Sequence, residues 1–369
     1  MNYGKKPIIV LHVLPGFHGG ISSYVKNLIK GSYSLGVKHY VVGYGRCPDE
    51  YVNTLKQYGV SVRSLPGWRQ GLKRHFIEIM KSFQGCSFDV FHCHFSGVRS
   101  LVFKFLARRA GIPVVFTHAH RSDDEKKLGI VARSIERICS RSFSDRFLAC
   151  SDVAGEYIFG RSVLSDSRYA FLPNGIDFKE YSQVLRSSAE DLTITKRRIL
   201  HVGRFAPQKN QSFCIQIARA IKDRGLCSFS IVFVGDGSQR EIVESYAHSL
   251  QVADVVSFLG RRDDIPQIMS NSDVLILPSL FEGLPTVVIE AQAAGLRCLV
   301  SNAVTRQCDL GLGLVTFLDI NSPDLWVDAC LNPPVSVDIN ERYKAFSDLG
   351  FTCDAMGSRY CDILEGCLR

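Results

Sequence analysis

A chain of 369 residues exceeds what one hydrophobic core ordinarily serves, so two domains are expected. Its composition, 46% apolar and 22% charged, is that of an ordinary globule, and no run approaches the roughly 18 consecutive apolar residues of a membrane-crossing helix. Residues 1–180 carry 26 Lys and Arg against 14 Asp and Glu, a net of +12 within a total of +8, so the first half is expected to meet something anionic.

The first twenty residues, "MNYGKKPIIVLHVLPGFHGG", hold an apolar patch too short and wrongly followed for a signal peptide. It reads as a buried strand (7–14) running into a glycine loop. Further strands are expected at 39–44, 60–65, 89–94, 113–120 and 146–151. Between them, "ISSYVKNLIKGSYSLG" and "RSLVFKFLARRAG" have helical period and end on Gly. The stretch 173–198 opens on a Pro-Asn-Gly turn and continues polar and Ser-rich, the composition of a linker. Strands resume at 198–204, 229–237, 255–261, 273–279 and 296–302, and the tail "FTCDAMGSRYCDILEGC" reads as a last helix. Strand–helix alternation of this kind predicts mostly parallel sheets covered on both faces. Thirteen scattered cysteines with no CxxC pair argue against a disulfide framework or a zinc site, and for buried thiols in a reducing cytoplasm.

Ligands of open parallel sheets sit at the carboxyl ends of strands, and the candidate motifs follow strands. Gly19 and Gly20 open a helix after the first strand, where amides can approach a phosphate, and a plain tight turn is the simpler reading of the pair alone. "PVVFTHAH" ends a strand with His118 and His120 on one face; either can bond a hydroxyl or move a proton, and a histidine satisfied in the core is the plainer alternative. In "ILHVGRFAPQKN", Arg204 and Lys209 flank a strand-end loop suited to a diphosphate, or are surface cations. "VFVGDG" and "FLGRRDD" are further glycine loops, in which Gly235 allows close backbone approach and the backbone at Arg261 can meet a nucleobase edge.

"LPSLFEGLPTVVIEAQAAGL" places two acids in an apolar stretch. Pro285 suits a first helical position and Gly295 a C-terminal cap, so Glu282 lies in the loop and Glu290 inside the helix. Buried without a partner, such acids are costly, whereas vicinal hydroxyls of a sugar satisfy them. The amides of Gly283, Leu284 and Thr286 offer a seat for a phosphate or sugar oxygen. Cations, glycine loops and paired acids together point to a nucleoside diphosphate sugar.

"FEGLPTVVIEAQAAGL" resembles the E-x7-E signature of the retaining glycosyltransferases of family 4, and "PNGID", "VGRFAPQKN", "VGDGS", "FLGRRDD" and "SDVLILPS" follow in that family's order. The resemblance spans nearly the whole chain and is most specific in the second half. "THAH", "FLACSDVAGEYIFG" and Trp326 resemble the branch that builds bacterial exopolysaccharide, capsule and O-antigen. It implies the GT-B fold: α/β, two doubly wound Rossmann-like domains facing across a cleft. The expected boundaries are 1–178 for the acceptor-side domain and 179–349 for the nucleotide-sugar domain, with helix 350–369 packing back on the first.

The resemblance also implies roles. Glu290 would bind ribose hydroxyls and Glu282 hydroxyls of the transferred sugar. Arg204 and Lys209 would hold the diphosphate and Gly20 would add an amide to it. His118 would contact the donor sugar, with His120 its rival. No metal and no cofactor are expected, in keeping with the absence of a DxD motif. The implied reaction moves a hexose-type sugar, most simply from a UDP-sugar, to a lipid diphosphate-linked acceptor at the cytoplasmic face of the inner membrane, with no nucleic acid involved. An epimerase of the same fold and an NAD-dependent oxidoreductase are the alternatives, the second disfavoured by the absence of GxGxxG.

Overall fold

The computed structural model of the protein describes residues 6–67, 72–84, 86–121, 129–184 and 197–368. The Ser-rich part of the expected linker, 185–196, lies outside them. Two compact units divide the chain: Met1–Ile176 together with Gly350–Arg369, and Asp177–Leu349.

The first unit is built on a seven-stranded parallel sheet. Its strands are β1 (Ile8–Leu14), β2 (Val37–Tyr44), β3 (Ser61–Leu65), β4 (Val90–Cys93), β5 (Val114–Ala119), β6 (Arg146–Ala149) and β7 (Tyr169–Phe171), in the order β3-β2-β1-β4-β5-β6-β7. Near-continuous apolar runs such as "IIVLHVL" are what a strand buried on both faces requires. Helix α1 (Gly20–Ser32) starts at the glycine pair, with Gly19 left-handed at φ 87°. The C-terminal helix, here α2 (Cys353–Leu368), packs against α1 so closely that a Cβ on Gly31 would stand 1.8 Å from the Cys353 carbonyl oxygen. Only glycine permits that approach.

The second unit holds a six-stranded parallel sheet of β8 (Arg197–Val202), β9 (Phe229–Val234), β10 (Val256–Phe258), β11 (Val274–Leu277), β12 (Arg297–Ser301) and β13 (Val315–Leu318), in the order β10-β9-β8-β11-β12-β13. Its core joins Ile199, Phe233, Ile276 and Leu299 to Trp326, which is fully buried and donates its indole N–H to the Asp319 carbonyl at 2.8 Å. In both sheets the strand order reverses beside the first strand, at β1/β4 and β8/β11, the place where doubly wound folds bind ligands.

Two strands went unread in the sequence, β7 and β13. Both are short edge strands, only partly buried, so neither carries the apolar run that marks a central strand. All thirteen cysteines are free thiols.

Candidate functional site

In the second unit the loop after β8 and the loop after β11 are stitched together. The Leu280 N–H donates to the Gln208 carbonyl at 2.8 Å and the Asn210 amide to the Pro278 carbonyl at 3.2 Å. This junction brings Lys209 Nζ to 2.6 Å from Glu282 Oε1, and the Ser279 hydroxyl donates to the same oxygen at 2.8 Å. Both charged side chains are mostly buried, at 15% and 10% exposure, so removing either one strands the other as a costly uncompensated charge. The acid that looked unpartnered in the sequence therefore has a cation and a hydroxyl.

Helix α3 (Thr286–Ala293) follows that loop. It begins one residue later than expected, because Pro285 keeps an extended ψ of 99° and sits before the first turn rather than in it. Gly295 is left-handed at φ 75° just past the helix end, a position that needs glycine. Glu290, on the inner turns of α3, meets the hydroxyl of Tyr181, a residue the sequence reading did not single out. Burial, and then the Glu290 carboxylate, push the Tyr181 phenol up, so it stays a proton donor to that acid.

Arg204 is exposed in the loop after β8, and its carbonyl accepts from the Gln211 amide at 2.9 Å. Gly235, at φ 132°, lies after β9. Its close approach is to protein: a Cβ there would stand 2.1 Å from the Gly203 carbonyl oxygen, so glycine at 235 seats the β8 loop. Arg261 is exposed after β10, beside left-handed Gly260. Arg204, Lys209, Gly235, Arg261, Glu282, Gly283, Leu284, Thr286 and Glu290 thus all belong to loops and the helix at the carboxyl edge of one sheet. Nearby His201 is fully buried on β8 with neither ring nitrogen bonded, and burial with the Lys209 charge pushes it down to about 3.

Gly20 and His118 belong to the first unit. Gly20 opens α1, and a Cβ on it would meet nothing within 4 Å. His118 is buried on β5, with Nδ1 3.3 Å from His92 Nε2 and with Nε2 unbonded. His118 and His120 stack at 4.1 Å between ring centroids. They line a cavity of about 410 Å³ with Pro15, Ile21, His94 and Arg99. His94 is itself buried, and behind the cavity lie three more buried histidines, His12, His39 and His92. Their signal was present as histidines at alternate positions of strand-like runs, but adjacency across strands is not written in one strand. Ring nitrogens of His94, His118 and His120, and those of His12, His92 and His94, fall within 4.8 Å of one another, a spacing that a divalent ion could bridge.

The model of the glycosyl transferases group 1 matches residues 187–310, and that of glycosyltransferase family 4 matches residues 18–180. The chain is 31% identical over 345 residues, 89% of its length and 88% of the relative's, to EpsF of Bacillus subtilis (strain 168), named as a glycosyltransferase. It is 28% identical over 268 residues, 69% of each chain, to the Escherichia coli UDP-Gal:alpha-D-GlcNAc-diphosphoundecaprenol alpha-1,3-galactosyltransferase. The structure of Anabaena HepE in complex with UDP superposes with a TM-score of 0.76 at 16% identity, covering 97% of this chain and all of that one, and shares the fold, GT-B.

Proposed function

The chain belongs to the glycosyltransferases of group 1 and family 4, it is a glycosyltransferase related to enzymes of bacterial polysaccharide and capsule synthesis, and from that premise we propose the reaction it performs. The reaction is transfer of a hexose-type sugar from a nucleoside diphosphate sugar, UDP-linked, with retention of the donor's anomeric configuration. The observation that carries this reading is the Lys209–Glu282 pair at the β8/β11 switch point. A cation there neutralises charge that grows on a departing diphosphate, and an acid beside it accepts from sugar hydroxyls.

Each residue has one task in this reading. Arg204 grips two diphosphate oxygens while Lys209 acts as a point charge. The amides of Gly283, Leu284 and Thr286, and that of Gly20, offer further donors to oxygen. Glu290, oriented by Tyr181, accepts from the ribose hydroxyls. Backbone at Gly235 and Arg261 borders the nucleotide, and His118 bonds a hydroxyl of the donor sugar. Proton removal from the acceptor is assigned to the leaving phosphate, so the chemistry needs no metal and no cofactor.

The acceptor is a lipid diphosphate-linked saccharide, the acceptor class in the name of the Escherichia coli relative. Contact with the cytoplasmic face of the inner membrane follows from that acceptor. It is supported by the net +12 of residues 1–180 and by exposed Ile130, Val131 and Ile138 beside exposed Arg137 on one helix, Ile130–Arg141. No helix among the described residues is long and apolar enough to cross a membrane. The reading is tested by thermal unfolding with a panel of nucleotide sugars and NAD, because a ligand bound only by the folded state raises its stability. A UDP-sugar is expected to raise the midpoint in wild type and not in Lys209→Ala. Stabilisation by NAD alone would refute the reading.

A further inference from the structure

The histidines behind the first-unit cavity form a chain whose direction is set at its far end. The Ser32 hydroxyl has one proton and gives it to the Leu28 carbonyl at 2.6 Å. Ser32 Oγ is also 2.9 Å from His39 Nε2, so that ring must be the donor. A neutral imidazole carries a single N–H, which leaves His39 Nδ1 bare to accept from His12 Nε2 at 2.9 Å. By the same logic His12 Nδ1 accepts from His94 Nε2 at 3.0 Å, and His94 Nδ1 accepts from His120 Nε2 at 3.0 Å. His120 Nδ1 is then bare, in a ring that lines the cavity.

A second branch starts in the C-terminal helix. The Tyr360 hydroxyl is fully buried, and its hydrogen-bond partner is His92 Nδ1 at 2.9 Å. With its proton placed there, His92 Nε2–H donates to His118 Nδ1 at 3.3 Å, and His118 keeps its proton on the unbonded Nε2. The Tyr24 ring meets both His118 and His120 edge-on at 4.8 Å and holds the stack.

We propose that these two hydrogen-bond relays fix His120 as an acceptor and His118 as a donor, making a hydroxyl-binding pair in the first-unit cavity. One group that both gives and takes a hydrogen bond satisfies the pair, and a carbohydrate hydroxyl is such a group. Neutrality of the rings is needed, because an imidazolium donates from both nitrogens and would break the chain. Burial supplies it, holding His39 and His120 down to about 3 and His12, His92, His94 and His118 well below the ordinary histidine range. A metal ion on His94, His118 and His120 would instead require bare nitrogens on all three and would replace the His94–His120 bond. That the hydroxyl belongs to a glycosyl donor or acceptor rests on the proposed function; the tautomers do not.

The test is ring-¹⁵N histidine NMR of the full chain near neutral pH, assigned with single histidine variants and paired with transfer kinetics. Wild type is expected to show neutral Nε2–H rings at His39, His12, His94, His120 and His118. Ser32→Ala removes the distal acceptor, so the first relay can invert and place the proton of His120 on Nδ1. That variant is expected to raise KM about tenfold, the cost of one hydrogen bond, for whichever substrate bears the hydroxyl. A rise for the acceptor assigns the hydroxyl to the acceptor, a rise for the nucleotide sugar assigns it to the donor, and Ser32→Thr should restore the wild-type value in either case. An Nδ1–H or charged His120 in wild type overturns the proposal. So does one equivalent of Zn²⁺ shifting the His94, His118 and His120 signals together, or an inverted His120 with both KM values unchanged. Absence of any transfer by wild type would count against the proposed function, while the tautomer spectrum still decides the relay.

Discussion

Lys209 Nζ and Glu282 Oε1 stand 2.6 Å apart although they come from loops after two different strands, β8 and β11. A partly dehydrated pair of this kind couples the site's chemistry to its stability. Lys209→Met alone strands the acid and Glu282→Gln alone strands the cation, so the two single losses of stability are expected to sum to more than the loss in the double variant. Denaturant unfolding of the four proteins should give a coupling of about 1–3 kcal/mol. Additive losses would show that the pair does not act as a unit.

In the proposed reaction the same lysine stands where charge develops on a leaving diphosphate. Lys209→Ala is expected to lower kcat by about 10²–10³, the loss found when one such donor is removed. Glu290→Gln and Tyr181→Phe, further from the reacting bond, are expected to raise KM for the nucleotide sugar more than they lower kcat. Steady-state kinetics with varied donor separate the two patterns.

Gly235 carries a backbone prediction. Its φ of 132° and the 2.1 Å gap that a Cβ would leave to the Gly203 carbonyl oxygen mean that Gly235→Ala must move the β8 loop. A loss of about 1–3 kcal/mol in unfolding free energy is expected, with a weaker response to UDP-sugars. An alanine variant as stable and as responsive as wild type would remove the packing account of this glycine.

The buried histidines set a pH dependence. His39, His120 and His201 are held down to about 3 in the folded chain against 6.5 when free, and His12, His92, His94 and His118 are also lowered. As pH falls below 6.5 the unfolded chain takes up protons that the folded chain refuses, so stability falls, and it is fully present only above 6.5. Each such histidine contributes about 1.4 kcal/mol per pH unit in that window. Unfolding midpoints measured on either side of 6.5 should drop steeply on the acid side, and less steeply in His39→Phe. A flat profile would contradict the neutral cluster.

How much of this was legible in the sequence depends on whether the signal was local. The parallel α/β class followed from apolar runs alternating with helical period, and strand-end loops such as "EGLP" were visible because a helix start is written in a few adjacent residues. The Lys209–Glu282 contact was not, since it depends on β8 lying beside β11. Tyr181 was passed over because a tyrosine in a short polar stretch carries no pattern. The histidine relay needs four strands in the order β2-β1-β4-β5 and a helix from the far end of the chain to cap His92, and none of that is encoded within one segment.

The central claim is retaining transfer from a UDP-sugar, and product stereochemistry tests it most directly. The chain would be incubated with an α-configured UDP-hexose and a polyprenyl diphosphate-linked saccharide, with UDP release followed and the new linkage read by NMR. The account predicts UDP release that requires the acceptor, and an α-linked product. A β-linked product, or UDP-sugar converted to its epimer with no UDP released, would contradict it.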